Sequence, residues 1–338
     1  MEQELLLQPP EKAEIGSDSA TLSPFLPGTH IQFAWDSTSL GYLKTCPRLY
    51  QYVMIEGWGE NDQSVHLYFG QEYHKALEEY DIFKFQGEDH EQALRHVVKD
   101  LHARIWEWRP DETVKAGKYK NRNSLMMAVI WYIEKYKNDP AKTFILENGK
   151  PAVELSFRFE LDFGPSNAGA FIDGKTSQPY ILCGHLDRVV DFNSSLFVAD
   201  RKTTTQTLSD YYFAQFEPNN QMTLYTLASQ VIINSPVKGV IIDAGQLMIE
   251  DARFVRSFTH RTEGQLEEWV QDLSYWLSLA ENFAIAEHWP QNDTACDKFG
   301  GCRFRGICSK DPDVRERFLK SSFTKLAPED RWNPLKPR

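Results

Sequence analysis

Residues 179–204 read PYILCGHLDRVVDFNSSLFVADRKTT, two β-rich runs separated by Asn193, Ser194 and Ser195. Branched and aromatic residues fill both runs, and residues that favour tight turns lie between them, so the stretch predicts a β-hairpin. Its first strand holds GHLD, ending at Asp187, and its second holds ADRK, with Asp200 and Lys202. Side chains alternate along a strand, so Asp200 and Lys202 share a face. Asp187 joins that face only if the turn holds an even number of residues or a bulge corrects the register. A two-residue turn at Asn193-Ser194 sets position 187 opposite 200, and a four-residue loop sets it opposite 202. Either brings two carboxylates and one ammonium group together.

Such a cluster suits phosphodiester hydrolysis. Carboxylates bind hard divalent ions such as Mg²⁺ or Mn²⁺ through oxygen. The ion lowers the pKa of a bound water and stabilises charge on the phosphate. A lysine beside it positions that water and offsets negative charge. On the hairpin alone a second reading stays open, a surface Asp–Lys pair with no chemistry, because such short motifs recur by chance.

Outward from the hairpin, the hydrophobic period assigns the remaining elements. AVELSFRFELDF, from Ala152, alternates as a strand, and KGVIIDAGQLMI, from Lys238, reads as another. NNQMTLYTLASQVII, from Asn219, is helical at its start, and the run from Glu263 to Trp289 is a long amphipathic helix with Leu266, Trp269, Leu273 and Leu277 on one face. Between Gln71 and Tyr136 the pattern is mainly helical, with Tyr73, Leu77 and Tyr80 at helical spacing. WDSTSLGYLKTCPRLYQYVM predicts a helix capped at Ser37 or Ser39 and interrupted by Pro47. The order describes an α/β core carrying a helical insertion, as one domain over residues 31–310. Its helical part spans 60–150, its core 151–260 and a cysteine-rich segment 290–308. Residues 1–30 read as a polar flexible tail and 311–338 as a basic one.

No run of about 18 apolar residues is present, so no membrane partner is expected. The start lacks the basic and apolar regions of a secretory signal, which predicts a cytoplasmic protein. The net charge of −11 argues against a non-specific nucleic-acid coat. From Arg303 to Arg338, however, ten Lys/Arg face five Asp/Glu, and KAGKYKNR clusters basic residues from Lys115 to Arg122. GAFIDGKT, at 169–176, matches the P-loop expression, but it follows a polar stretch and runs towards a strand instead of opening a helix. It is read as a chance match.

Taken in order, GHLD (Gly184 to Asp187), DRK (Asp200 to Lys202) and QMTLY (Gln221 to Tyr225) resemble the PD-(D/E)XK nuclease superfamily, and within it the RecB-type exonuclease branch. That branch orders a GxxD strand, a DxK strand and a helix bearing QxxxY. The resemblance implies a restriction-endonuclease-like mixed sheet flanked by helices. It also implies catalytic roles for Asp187, Asp200, Lys202, Gln221 and Tyr225, with Glu154 matching a glutamate on the preceding strand. His74, on a helix well upstream, corresponds to the branch's histidine and would join Asp187 and Asp200 as metal ligands for Mg²⁺ or Mn²⁺.

CDKFGGCRFRGIC holds Cys296, Cys302 and Cys308, each six positions apart. Relatives in the branch, AddB-type domains and CRISPR adaptation nucleases among them, carry a four-iron four-sulfur cluster on one cysteine before the core and three after it. The resemblance therefore implies a cluster on Cys46, Cys296, Cys302 and Cys308, favoured over zinc because short CxxC knuckles are absent. The five-residue gap between Cys302 and Cys308 departs from the usual two. Cys183, in YILCG, reads as a small buried hydrophobe. The implied activity is a DNA exonuclease on single strands or free ends in recombination, repair or phage DNA processing, with a helicase or recombination partner. In relatives the insertion and the cysteine region wall the strand's channel. An endonuclease or CRISPR adaptation-type nuclease, and a catalytically silent nucleic-acid-binding module, are the alternatives.

Overall fold

The computed structural model describes residues 23–60, 64–165, 179–298 and 301–336. The P-loop-like stretch at 169–176 and residues 1–22 of the expected tail lie outside them. Strand β1 (Ala34–Trp35) leads into α1 (Ser37–Thr45). Its cap is Asp36, one residue earlier than the sequence suggests: the carboxylate accepts from Ser39 N at 2.8 Å, and the Asp36 N–H donates to Ser39 Oγ at 3.1 Å. Pro47 starts α2 (Pro47–Tyr50), where its missing N–H costs nothing. After β2 (Trp58–Gly59) come α3 (Val65–Phe85), α4 (His90–Ile105), α5 (Lys115–Tyr119) and α6 (Arg122–Lys135). Ser64, Asp89 and Asn121 cap α3, α4 and α6. Then follow β3 (Lys142–Thr143), β4 (Val153–Glu160), β5 (Ile181–Phe192), β6 (Ser195–Thr204), α7 (Asp210–Ala214), α8 (Asn220–Ile233), β7 (Val237–Leu247) and β8 (Ala252–His260). The chain closes with α9 (Glu263–Ile285), α10 (Arg305–Cys308), α11 (Pro312–Ser322) and β9 (Thr324–Lys325).

The fold is mixed α/β, and its sheet is mixed in direction. The chain forms two compact units. One comprises Gln63–Leu155 and His185–Thr262; the other comprises Met1–Asp62, Ser156–Gly184 and Glu263–Arg338. In the first, β5 and β6 pair antiparallel, β6 and β7 parallel, and β7 and β8 antiparallel. The sequence reading lacks β8, whose few apolar residues stand among arginines and give a weak alternation. Phe69, Tyr73, Leu77, Val97, Leu101, Leu125 and Val129 of the insertion bury against Leu247 and Phe254 of the sheet. Helix α8 rests on β6 and β7.

In the second unit β1 pairs parallel with the start of β5, and Gly184 there lies against Phe157. A Cβ at that position would stand 2.5 Å from the ring. Residues 311–338, expected as a basic tail, hold α11, capped by Asp311, and β9, which pairs with β2 through Trp58 and Lys325. No helix among the described residues is long and apolar enough to cross a membrane.

The hairpin turn decides the register. Asn193 and Ser194 both have left-handed φ, 51° and 59°, and Phe192 pairs directly with Ser195. Two successive left-handed residues twist the turn in the sense that matches the strands. Arg188 faces Ala199, so the same register carried one residue further sets Asp187 opposite Asp200. A side chain at Ser194 strains this backbone and glycine does not. Ser194→Gly should therefore stabilise the protein by about 0.5–1 kcal/mol. The check is a higher urea midpoint at unchanged m-value; an unchanged or lower midpoint would contradict it.

Candidate active site

Three elements of the first unit converge on the second hairpin strand. Asp200 and Lys202 lie on one face of β6, two residues apart. The Lys202 ammonium donates to Asp200 Oδ1 at 3.0 Å and to Gln221 Oε1 at 3.1 Å. Asn219 caps α8 through Gln221 N and Met222 N, which fixes Gln221 in the first turn. Gln221 Nε2 in turn donates to Tyr225 OH at 2.9 Å, an i to i+4 contact on one helix face. The amide is thereby oriented with its oxygen towards the lysine. The structure brings Asp200, Lys202, Gln221 and Tyr225 into one chain of contacts.

Asp187 sits beside that chain. Its Oδ2 accepts from the Arg201 backbone N–H at 2.9 Å and stands 3.2 Å from His74 Nδ1 of α3. His74, Glu154 and Asp187 each offer a donor atom, and these atoms lie within 4.8 Å of one another. Glu154 takes part from near the start of β4 with a left-handed φ of 47°. The gathered triad thus contains Glu154, where the sequence reading names Asp200 as the third metal ligand. The Asp200 carboxylate is turned towards Lys202 instead.

The two aspartates carry opposite electrostatic settings. Burial would raise Asp187, but the charge and hydrogen bond of His74, with Lys202 and the Arg201 N–H, hold it well below the usual carboxylate range. Burial does raise Asp200, and the neighbouring Asp187 charge adds to it against the pull of Lys202. Burial works to lower His74, yet the Asp187 carboxylate outweighs it and keeps the imidazole raised.

The donor set fits a divalent ion. It combines one imidazole nitrogen with carboxylate oxygens, a mixture that suits Mn²⁺ and, through oxygen, Mg²⁺. Asp200 Oδ2 is buried beside this set and stands 2.8 Å from the Lys202 ammonium.

One residue with a role here went unread in the sequence. Arg201, between Asp200 and Lys202, donates from its backbone to Asp187 and from its guanidinium to Asp81 of α3 at 2.6 Å. Its position inside the DRK triplet was the available signal.

In the second unit Cys46, Cys296, Cys302 and Cys308 line one cavity of about 260 Å³ with Tyr42 and Leu49. Asn292 ties two of them together: its N–H donates to Cys46 Sγ at 3.3 Å, and its carbonyl accepts from Cys296 Sγ at 3.9 Å. Cys183 stands apart, 1% exposed, and burial pushes its thiol up to about 12.

The family model of the PD-(D/E)XK nuclease superfamily matches residues 37–309. No curated protein matches the sequence. Among solved structures the chain is similar to a "Putative exonuclease" from Eubacterium rectale, at 12% identity and a TM-score of 0.45, with 84% of this chain and 92% of that one covered. It is also similar to SSO0001, at 10% identity and a TM-score of 0.28, with 72% and 76% covered.

Metal binding should expel the proton of His74. The Asp187 carboxylate beside it holds its pKa above the ordinary value, so it keeps its proton to higher pH than a free imidazole does. Mn²⁺ affinity should climb as pH rises through that pKa, with proton release visible in calorimetry across buffers of different ionisation enthalpy. His74→Ala should bind Mn²⁺ at least about tenfold more weakly and lose that proton release. An unchanged midpoint and an unchanged proton count would remove His74 from the metal shell.

Proposed function

The chain belongs to the PD-(D/E)XK nuclease superfamily, a family of metal-dependent nucleases, and on that premise we propose that it is a DNA exonuclease acting on single strands or free ends. The observation that carries the nuclease reading is Lys202, held between Asp200 and Gln221 beside the His74–Glu154–Asp187 donors. Those three residues, with Asp200 Oδ2 as a further donor, would hold a divalent ion, which would supply Lewis acidity and lower the pKa of a water. Lys202 contributes a fixed positive charge where the phosphate gains negative charge, and that charge needs no reorganisation during the reaction. Gln221 holds the ammonium in place, and Tyr225 holds the Gln221 amide. The preference for ends, and a role in recombination, repair or phage DNA processing, rest on the resemblance of GHLD, DRK and QMTLY to the RecB-type branch.

We also assign a four-iron four-sulfur cluster to Cys46, Cys296, Cys302 and Cys308. Their common cavity supports it. A single tetrahedral zinc ion sets its sulfurs about 3.8 Å apart.

End-labelled linear and circular single-stranded DNA, incubated with Mn²⁺ or Mg²⁺, decides the mode of cleavage. Loss of the linear form alone is expected. Cutting of both forms makes the protein an endonuclease, and cutting of neither makes it a silent binding module. Lys202→Ala should lower kcat by about 100- to 1,000-fold.

Protein purified away from air should be brown and contain iron and acid-labile sulfide in equal amounts. Cys302→Ala should bleach it, and Lys202→Ala should not. Colourless protein with stoichiometric zinc would refute the cluster.

A further inference from the structure

The face of β6 that carries Asp200 and Lys202 continues to Thr204, because alternate residues of a strand point the same way. Thr204 pairs with Gln246 of β7, whose Oε1 accepts from Leu208 N two residues before α7. Helix α7 therefore starts at the end of that face beside Thr204, which lies roughly 7 Å along the strand from Lys202. It is also fastened there. Ser209 caps it, Leu208 N donates to Gln246 Oε1 at 3.2 Å, and the Tyr212 ring packs on Phe213 and Phe216 at 5.1 and 5.8 Å.

Tyr212 and Phe216 are each 7% exposed, whereas Tyr211 is 91% exposed, more than any other large apolar side chain among the described residues. A single exposed aromatic is ordinary on a protein surface. This one differs because its backbone is pinned at the rim of the catalytic face by the residues on either side. A flat ring held there offers what a nucleobase seeks, an aromatic surface beside the site where its own phosphate reacts.

We propose that Tyr211 is the stacking platform for the nucleobase next to the cleaved phosphate, so that the substrate must present an unstacked base, as a single strand or an unpaired end does. This rests on the nuclease reading and adds a specificity residue to it. A duplex keeps its base faces covered and has nothing to lay on Tyr211.

Binding of a short fluorescein-labelled single-stranded DNA, followed by anisotropy in EDTA, tests the contact without cleavage. Tyr211→Ala should weaken binding about 5- to 150-fold, the span of base–aromatic stacking. Tyr211→Trp should retain binding, and Tyr211→Leu should resemble the alanine variant, since bulk without a π-face does not stack. With wild-type protein, an abasic nucleotide moved through the strand should weaken binding at one position, and Tyr211→Ala should erase that penalty. Unchanged thermal midpoints will show that the exposed substitutions leave the fold intact. Equal affinity of wild type and Tyr211→Ala, or an abasic penalty that survives in the variant, overturns the proposal. If wild type cleaves DNA with Mn²⁺ while Tyr211 proves indifferent, only this inference falls. If wild type cleaves nothing, the nuclease reading falls and the base placement falls with it.

Discussion

Arg201 is the residue through which the site and its scaffold constrain each other. Its main chain belongs to β6 and fixes Asp187 through the N–H at 2.9 Å. Its side chain, 4% exposed, reaches Asp81 on α3 at 2.6 Å. Asp81 lies seven residues after His74, two helical turns along, so the contact also sets where α3 presents that imidazole. The same carboxylate faces Arg188, which faces Asp139; Asp139 and Asp243 then share Arg256, and Tyr132 donates to Asp243. Positive and negative members balance along this buried line. Removing one of them strands its partners, which typically costs about 3–5 kcal/mol. Helical insertion and sheet are thus joined by charges that tolerate little displacement.

Asp187 and Asp200 act on stability in opposite directions. Asp187, whose pKa is depressed on folding, strengthens the fold above the ordinary carboxylate range and loses that contribution as pH falls. Asp200, whose pKa is raised, weakens the fold at neutral pH and is relieved when protonated. The chain therefore carries a standing cost at Asp200 that a bound cation would remove. Such local conflict is what a binding site looks like in a fold otherwise consistent with its sequence.

What could be read in advance followed distance along the chain. The hairpin, the shared face of Asp200 and Lys202, and the Gln221–Tyr225 pair are all local, set by periods of two and four residues. The turn type was left between two registers because Asn-Ser-Ser permits both, and only the left-handed φ values at Asn193 and Ser194 separate them. His74 lies more than a hundred residues before Asp187, and no periodicity connects the two; family order alone named it. Glu154 as a member of the donor triad depends on its left-handed backbone near the strand start, which sequence does not signal. The division into two units was equally hidden, since the chain leaves and re-enters each of them without a composition shift.

That threading has a consequence for synthesis. All of one unit has been made once Thr262 is joined, whereas the other needs segments from both ends of the chain. Cys46 emerges 250 residues before Cys296. At ordinary elongation rates it waits roughly 12 to 50 s for its first companion. The ribosome thus imposes a timetable: Asp187, Asp200, Lys202 and Gln221 can find one another while three of the cavity's four thiols are still to be made. Any group that the cavity receives must arrive late, after Cys308 has been joined.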